Sequence, residues 1–146
     1  MNMTAIRTAW LLGLAGLLPF AAAALGSHAA PDSWQGFARG ALIAYGAVIL
    51  SFLGAVHWGL ALRAPPEEQP FAMARLLLGV VPALLAWIAL LLPDVFSLTL
   101  LALAILGTAG LEQWVHSRGL VPGGYMVLRW VLSIGAALCL MAPLGT

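Results

Sequence analysis

The sequence predicts an all-α fold: a polytopic transmembrane bundle of five spans, one membrane domain over residues 1–146, with a cytoplasmic N-terminus and a periplasmic C-terminus. Three observations carry this expectation. Hydrophobic residues make up 63% of the chain and charged residues only 8%, whereas a soluble domain has about 25% charged residues. In water such a chain would leave too much apolar surface exposed, so the bilayer is its solvent. Apolar runs at about 10–25, 40–62, 74–92, 95–111 and 125–141 match the length of helix that crosses a bilayer, about 20 residues. Finally, Arg7, Arg63, Arg75, Arg118 and Arg129 fall at or near one side of a five-span arrangement, and Arg39 alone falls at the other. The excess of basic residues marks the cytoplasmic side.

The first run follows Arg7 and has the outline of a secretory signal, with the alanines at 21–24 as a cleavage site. Gly13, Gly16 and Pro19 are instead packing and kinking features, so a retained helix is expected. Residues 26–36 are expected to form a polar loop around Pro31, Asp32 and Ser33, followed by the interfacial aromatics Trp34 and Phe37. The second run is the expected hub. Its small residues Gly40, Ala44, Ala47, Ser51 and Gly54 recur at steps of four and three, a helix-packing stripe that lets a neighbouring backbone approach closely. Residues 64–70 are a proline-stiffened break. In the third run Pro82 predicts a kink. Pro93 and Asp94 leave room only for a tight turn, which makes runs three and four antiparallel neighbours. The fourth run is expected to continue as a wetter turn through Glu112, Trp114 and His116, and a loop at 119–124 precedes the fifth. No internal repeat is evident, and an odd number of spans argues against the simple inverted repeats of many transporters.

Ionisable residues in such a chain are few and therefore informative. His57, Glu112, His116 and Arg129 gather toward the cytoplasmic half as a candidate polar cluster, with Glu112 and His116 at i, i+4 on a helix face shared with Thr108. Charges there are costly unless paired, so an Arg129–Glu112 contact is expected. The simpler reading is a structural ion pair with side chains snorkelling to the headgroups. The functional reading is a polar cavity open to the cytoplasm that handles a proton or an anion. A haem or metal bridged by His57 and His116 would lack Cys or Asp support, so neither cofactor nor metal is expected. Trp58 and Trp87 lie deeper than the other tryptophans and form a candidate apolar pocket for a quinone or lipid tail. Lone Cys139 reads as a small core residue. Net charge near zero gives no reason to expect nucleic acid as a partner. The chain has no zinc-binding His-Glu-x-x-His, P-loop or Gly-x-Ser-x-Gly motif, and Ser51 and His57 lie on divergent faces of one helix, so no catalytic residues are assigned and an enzyme is not expected.

At the hub, Tyr45-Gly46-Ala47, Ser51-Phe52-Leu53-Gly54 and His57-Trp58-Gly59 resemble the signature of the domain of unknown function 3429 family, which includes transmembrane protein 69-like and mitochondrial inner-membrane proteins. Leu12-Gly13-Leu14-Ala15-Gly16-Leu17-Leu18-Pro19-Phe20 is similar to the family's first-helix motif, and Val81-Pro82-Ala83 to its third-segment motif. The resemblance covers essentially the whole chain. It implies a five-helix bundle in the bacterial cytoplasmic (inner) membrane or its mitochondrial counterpart, and implies no activity. Ala55-Val56 departs mildly from the family's usual small residue and Ile. Some relatives carry Arg in place of His57, which implies a basic anchoring role rather than metal or haem ligation.

The expected function is a non-enzymatic scaffold or accessory subunit of a larger membrane complex, partnered by the lipid bilayer and by another membrane protein or a second copy of itself. The alternatives are a small proton-coupled carrier or permease using His57, Glu112 and Arg129, and a quinone- or lipid-binding protein. Five helices enclose little volume, so a permease would need to be a homo-oligomer.

Overall fold

In the computed structural model, which describes residues 3–117 and 123–145, the five apolar runs are five helices. They are α1 (Met3–Ala29), α2 (Asp32–Leu62), α3 (Gln69–Leu91), α4 (Asp94–His116) and α5 (Gly123–Met141). Short 3-10 turns at Pro66–Glu68 and Ala142–Leu144 precede α3 and follow α5. All five helices are long and apolar enough to cross a membrane, and there is no strand among the described residues. A helix satisfies its backbone hydrogen bonds internally, which is what the hydrocarbon interior demands of a spanning segment.

The helix ends run further than the sequence suggests. The expected loop at 26–36 is mostly helix, because its polar groups find partners on the helix backbone. Ser27 is buried and donates its hydroxyl to the Ala24 carbonyl at 2.6 Å, so α1 continues to Ala29. Pro31 takes an extended conformation and accepts the Trp34 amide at 2.7 Å, starting α2 at Asp32. Gln35 clamps this corner, donating to the Ala30 carbonyl and to Asp32. Only residues 30–31 join α1 to α2. In the same way α3 begins at Gln69 rather than at 74, with Pro70 in the first turn, where its missing N–H has no helical partner to lose. Leu92 and Pro93 form the tight connection to α4. Arg118 and most of the expected loop at 119–124 lie outside the described residues.

The helices close into a ring in chain order: each packs on the next, α5 returns to α1, and α2 crosses the middle to reach α4. Helix α2 touches all four others, most extensively α3, so it is the hub. Its buried face runs through Ile43, Ala47, Leu50, Gly54, His57 and Ala61, at steps of four and three. Of the anticipated packing stripe, Ala47 and Gly54 lie on this face, and Ser51 is half-buried with its hydroxyl bonded to the Ala47 carbonyl. Gly40 and Ala44 instead point outward. The close approach that sets the rotation of α2 is at its other end: a Cβ on Gly54 would run into the Gly79 carbonyl and the Pro82 ring of α3. Helix α3 runs unbroken through Pro82, which is buried against α2.

The central core is Phe20 of α1, Leu42 and Leu50 of α2, Leu98, Leu101 and Ile105 of α4, and Leu140 of α5. Tyr45 ties α1 to α2, donating to the Gly16 carbonyl at 2.9 Å and meeting Phe20 edge to face at 4.8 Å. Lipid tails are as apolar as leucine, so close van der Waals contact and interhelical hydrogen bonds hold this core, with little help from hydrophobic transfer.

Candidate functional site

Three helices each turn one ionisable residue toward the same place. On α4 the buried positions Leu98, Leu101, Ile105 and Ala109 continue to Glu112, and on α5 Leu140, Ala136 and Ser133 continue to Arg129. Because α4 and α5 are antiparallel neighbours, these stripes face each other, and α2 brings His57 in from its own buried face. Glu112 is 5% exposed, Arg129 4% and His57 8%.

Arg129 is held on three sides. Its Nε donates to Glu112 Oε2 at 2.8 Å, one terminal nitrogen donates to Ser133 Oγ, and the other donates to Thr108 Oγ1 at 2.7 Å. Both hydroxyls can accept from the guanidinium because each donates its own hydrogen to a helix carbonyl, Thr108 to Ile105 and Ser133 to Arg129. The other Glu112 oxygen, Oε1, is buried and lies 3.6 Å from His57 Nε2, beyond hydrogen-bond reach. That approach becomes an ion pair when the imidazole is protonated. Tyr125, one turn before Arg129, interacts with the same carboxylate. Nearby, the Trp130 indole donates to Gln113 at 3.2 Å and adds a second polar tie between α4 and α5.

The expected Arg129–Glu112 contact is present, with His57 beside it. The expectation of shallow, snorkelling side chains is corrected: although these residues lie within about two turns of their helix ends, they point into the bundle and are sealed by it. The fourth member of the expected cluster, His116, has its side chain outside the described residues. Among the described residues, no group of three or more His, Cys, Asp or Glu side chains is placed to hold a metal. Ser133 and Tyr125 were not anticipated. The available signal was the i, i+4 spacing of Arg129 and Ser133 within an apolar run, a spacing that puts a hydroxyl within reach of a buried guanidinium.

Beside the cluster, α1, α2 and α5 leave a groove of about 480 Å³ that opens toward the lipid. Its walls are apolar, with Leu12, Leu17, Phe52, Leu53 and Leu132 among them, and its polar side chains are Tyr125, Arg129 and Ser133. The two tryptophans expected to form an apolar pocket, Trp58 and Trp87, lie elsewhere than this groove. Trp58 lies across Gly79 and donates its indole N–H to the Leu76 carbonyl at 3.0 Å, so it serves the α2–α3 contact. Trp87 is 60% exposed on the outer face of α3. Neither residue lines the groove.

Five apolar helices of membrane-spanning length around a buried charge cluster define a multi-pass membrane protein. The chain belongs to the DUF3429 family, described as protein of unknown function, whose model matches residues 5–145. It is similar to Transmembrane protein 69 of Xenopus tropicalis, with 38% identity over 139 residues, covering 94% of this chain and 54% of that protein. The chain thus spans about half the length of the curated relative it matches. No solved structure matches it.

Proposed function

We propose that this chain is a non-enzymatic membrane protein that binds an amphiphilic small molecule in the groove between α1, α2 and α5. One observation supports the reading above the rest: a buried arginine, Arg129, is among the residues that line a largely apolar groove. Its volume falls in the range of small-molecule sites, about 300–1,000 Å³, which pair an apolar lining with a few converging polar groups. The test is purification of the full chain in a gentle detergent followed by native mass spectrometry. The expected result is one retained amphiphile per protomer, released when Leu17, on the groove wall, is replaced by Trp. A protein that carries no small molecule but a stoichiometric foreign membrane protein would replace this reading with that of an accessory subunit. The two-residue connections at 30–31 and 92–93 favour the accessory role as a second reading, because they make a rigid bundle suited to docking against other helices.

The proposed setting is the bacterial cytoplasmic membrane with the N-terminus inside. Arg7, Arg63 and Arg75 are then on the cytoplasmic side and Arg39 on the periplasmic side, as the bias of basic residues requires. A reporter active only in the periplasm, inserted at the connection around 65, should be silent, and one inserted at 30 should be active; the reverse pattern would invert the assignment.

A further inference from the structure

We propose that the occupant of the groove is an amphiphile whose head is a neutral carbonyl group, as in a quinone or an acyl ester, rather than a carboxylate or a phosphate. This deepens the binding reading above and rests on it. The argument starts from the hydrogens that the polar end of the groove can offer. A guanidinium carries five N–H donors; Arg129 directs three of them to Glu112, Ser133 and Thr108, which leaves two. Ser133 contributes no hydrogen, since its hydroxyl donates to the Arg129 carbonyl. Tyr125 stands on the same wall, but its hydroxyl is engaged with the Glu112 carboxylate, so the donors on offer are those of Arg129. The polar end of the groove therefore offers donors, and its complement is an acceptor.

Charge then selects among acceptors. The positive charge of Arg129 is already matched by Glu112 at 2.8 Å, and with a neutral imidazole on His57 the cluster sums to zero. An anionic head would place a second negative charge near the Glu112 carboxylate in a medium of low dielectric, where like charges repel strongly. A carbonyl oxygen accepts the same hydrogens without that penalty. The remaining walls are apolar and open sideways to lipid, so an isoprenoid or acyl tail can run out along α1 and α5 without leaving an apolar surface.

The test uses the purified, delipidated full chain in dodecyl maltoside, titrated separately with decylubiquinone, methyl palmitate and palmitate, with bound ligand counted by native mass spectrometry. The expected result is saturation at one per protomer for a neutral carbonyl compound and affinity at least tenfold weaker for palmitate. Binding confined to the quinone or to the ester identifies the source of the carbonyl, and either outcome supports the inference. Gly16→Phe should abolish binding: Gly16 lines the groove, and a Cβ there meets only the Tyr45 hydroxyl, at 3.9 Å. Leu12→Trp, at a 70% exposed position on the mouth of the groove, is a second blocking variant that leaves the core untouched. Palmitate binding as tightly as its methyl ester overturns the neutral-head inference and leaves the groove reading standing. Failure of all three compounds to bind, or binding indifferent to both blocking variants, overturns the groove reading and the inference together.

Discussion

Replacing Arg129 by Met removes hydrogen bonds to Glu112, Ser133 and Thr108 together and strips the buried Glu112 of its counter-charge. Breaking a buried ion pair from one side typically destabilises by about 3–5 kcal/mol, because the remaining charge is left uncompensated. Two features of the site place this variant toward the lower end: His57 stands 3.6 Å from the other carboxylate oxygen, and both hydroxyls keep their bonds to helix carbonyls. Removing both charges, as Glu112→Leu with Arg129→Met, leaves neither member of the ion pair unmatched, and the Thr108 and Ser133 hydroxyls keep their carbonyl partners. The double variant should therefore lose no more than about 1–2 kcal/mol, since well-packed apolar replacements of buried pairs are often close to neutral. The two substitutions should be non-additive by at least about 2 kcal/mol, within the range seen for residues in direct contact. Reversible unfolding in mixed micelles titrated with dodecyl sulfate and followed by circular dichroism gives all four free energies. An Arg129→Met protein within about 1 kcal/mol of the parent, or a double variant as unstable as the sum of the singles, would refute the claim that the pair is sealed and mutually dependent.

The α2–α3 contact predicts a contrast between two glycines. Gly54→Ala should destabilise clearly in the same unfolding titration, because its Cβ meets the Gly79 backbone, whereas Gly40→Ala meets nothing within 4 Å and should be neutral or slightly stabilising. Trp58→Phe removes the indole N–H that donates to the Leu76 carbonyl. The same titration should show a loss of about 0.5–1.5 kcal/mol, the net value of one hydrogen bond. Arg39→Ala should shift stability by no more than about 1 kcal/mol, and less in high salt, because its 3.5 Å pair with Asp94 is 37% and 54% exposed.

The number and order of helices were legible because hydropathy alone reports them. The Glu112–Arg129 pair was legible for a related reason: two opposite charges within otherwise apolar runs each need a partner, and each is the other's best choice. Helix rotation was not legible. In water the apolar face of a helix is the buried face, but in lipid every face of α2 is apolar, so Gly40 and Ala44 look as suited to packing as Gly54. The same ambiguity hides the groove. Depth along a helix singles out Trp58 and Trp87, while the groove lies where α1, α2 and α5 fail to fill the space between them, a property of shape that no single segment carries. The ends of α1 and α2 escape a sequence reading because Ser27 and Gln35 look like loop residues until their partners on the backbone are seen.

Arg129 also bears on how the molecule is made. Synthesis runs from the N-terminus, so α4 and its carboxylate enter the bilayer before α5. An arginine in a helix entering lipid alone opposes insertion, by up to about 2.5–3.5 kcal/mol at the bilayer centre. In this bundle it meets a waiting anion and the Thr108 hydroxyl on α4, and brings the Ser133 hydroxyl with it on α5. Helix α5 is thus the one that neutralises its predecessor. Arg129 therefore acts as a latch between α4 and α5, and a chain halted before it would carry Glu112 without its arginine.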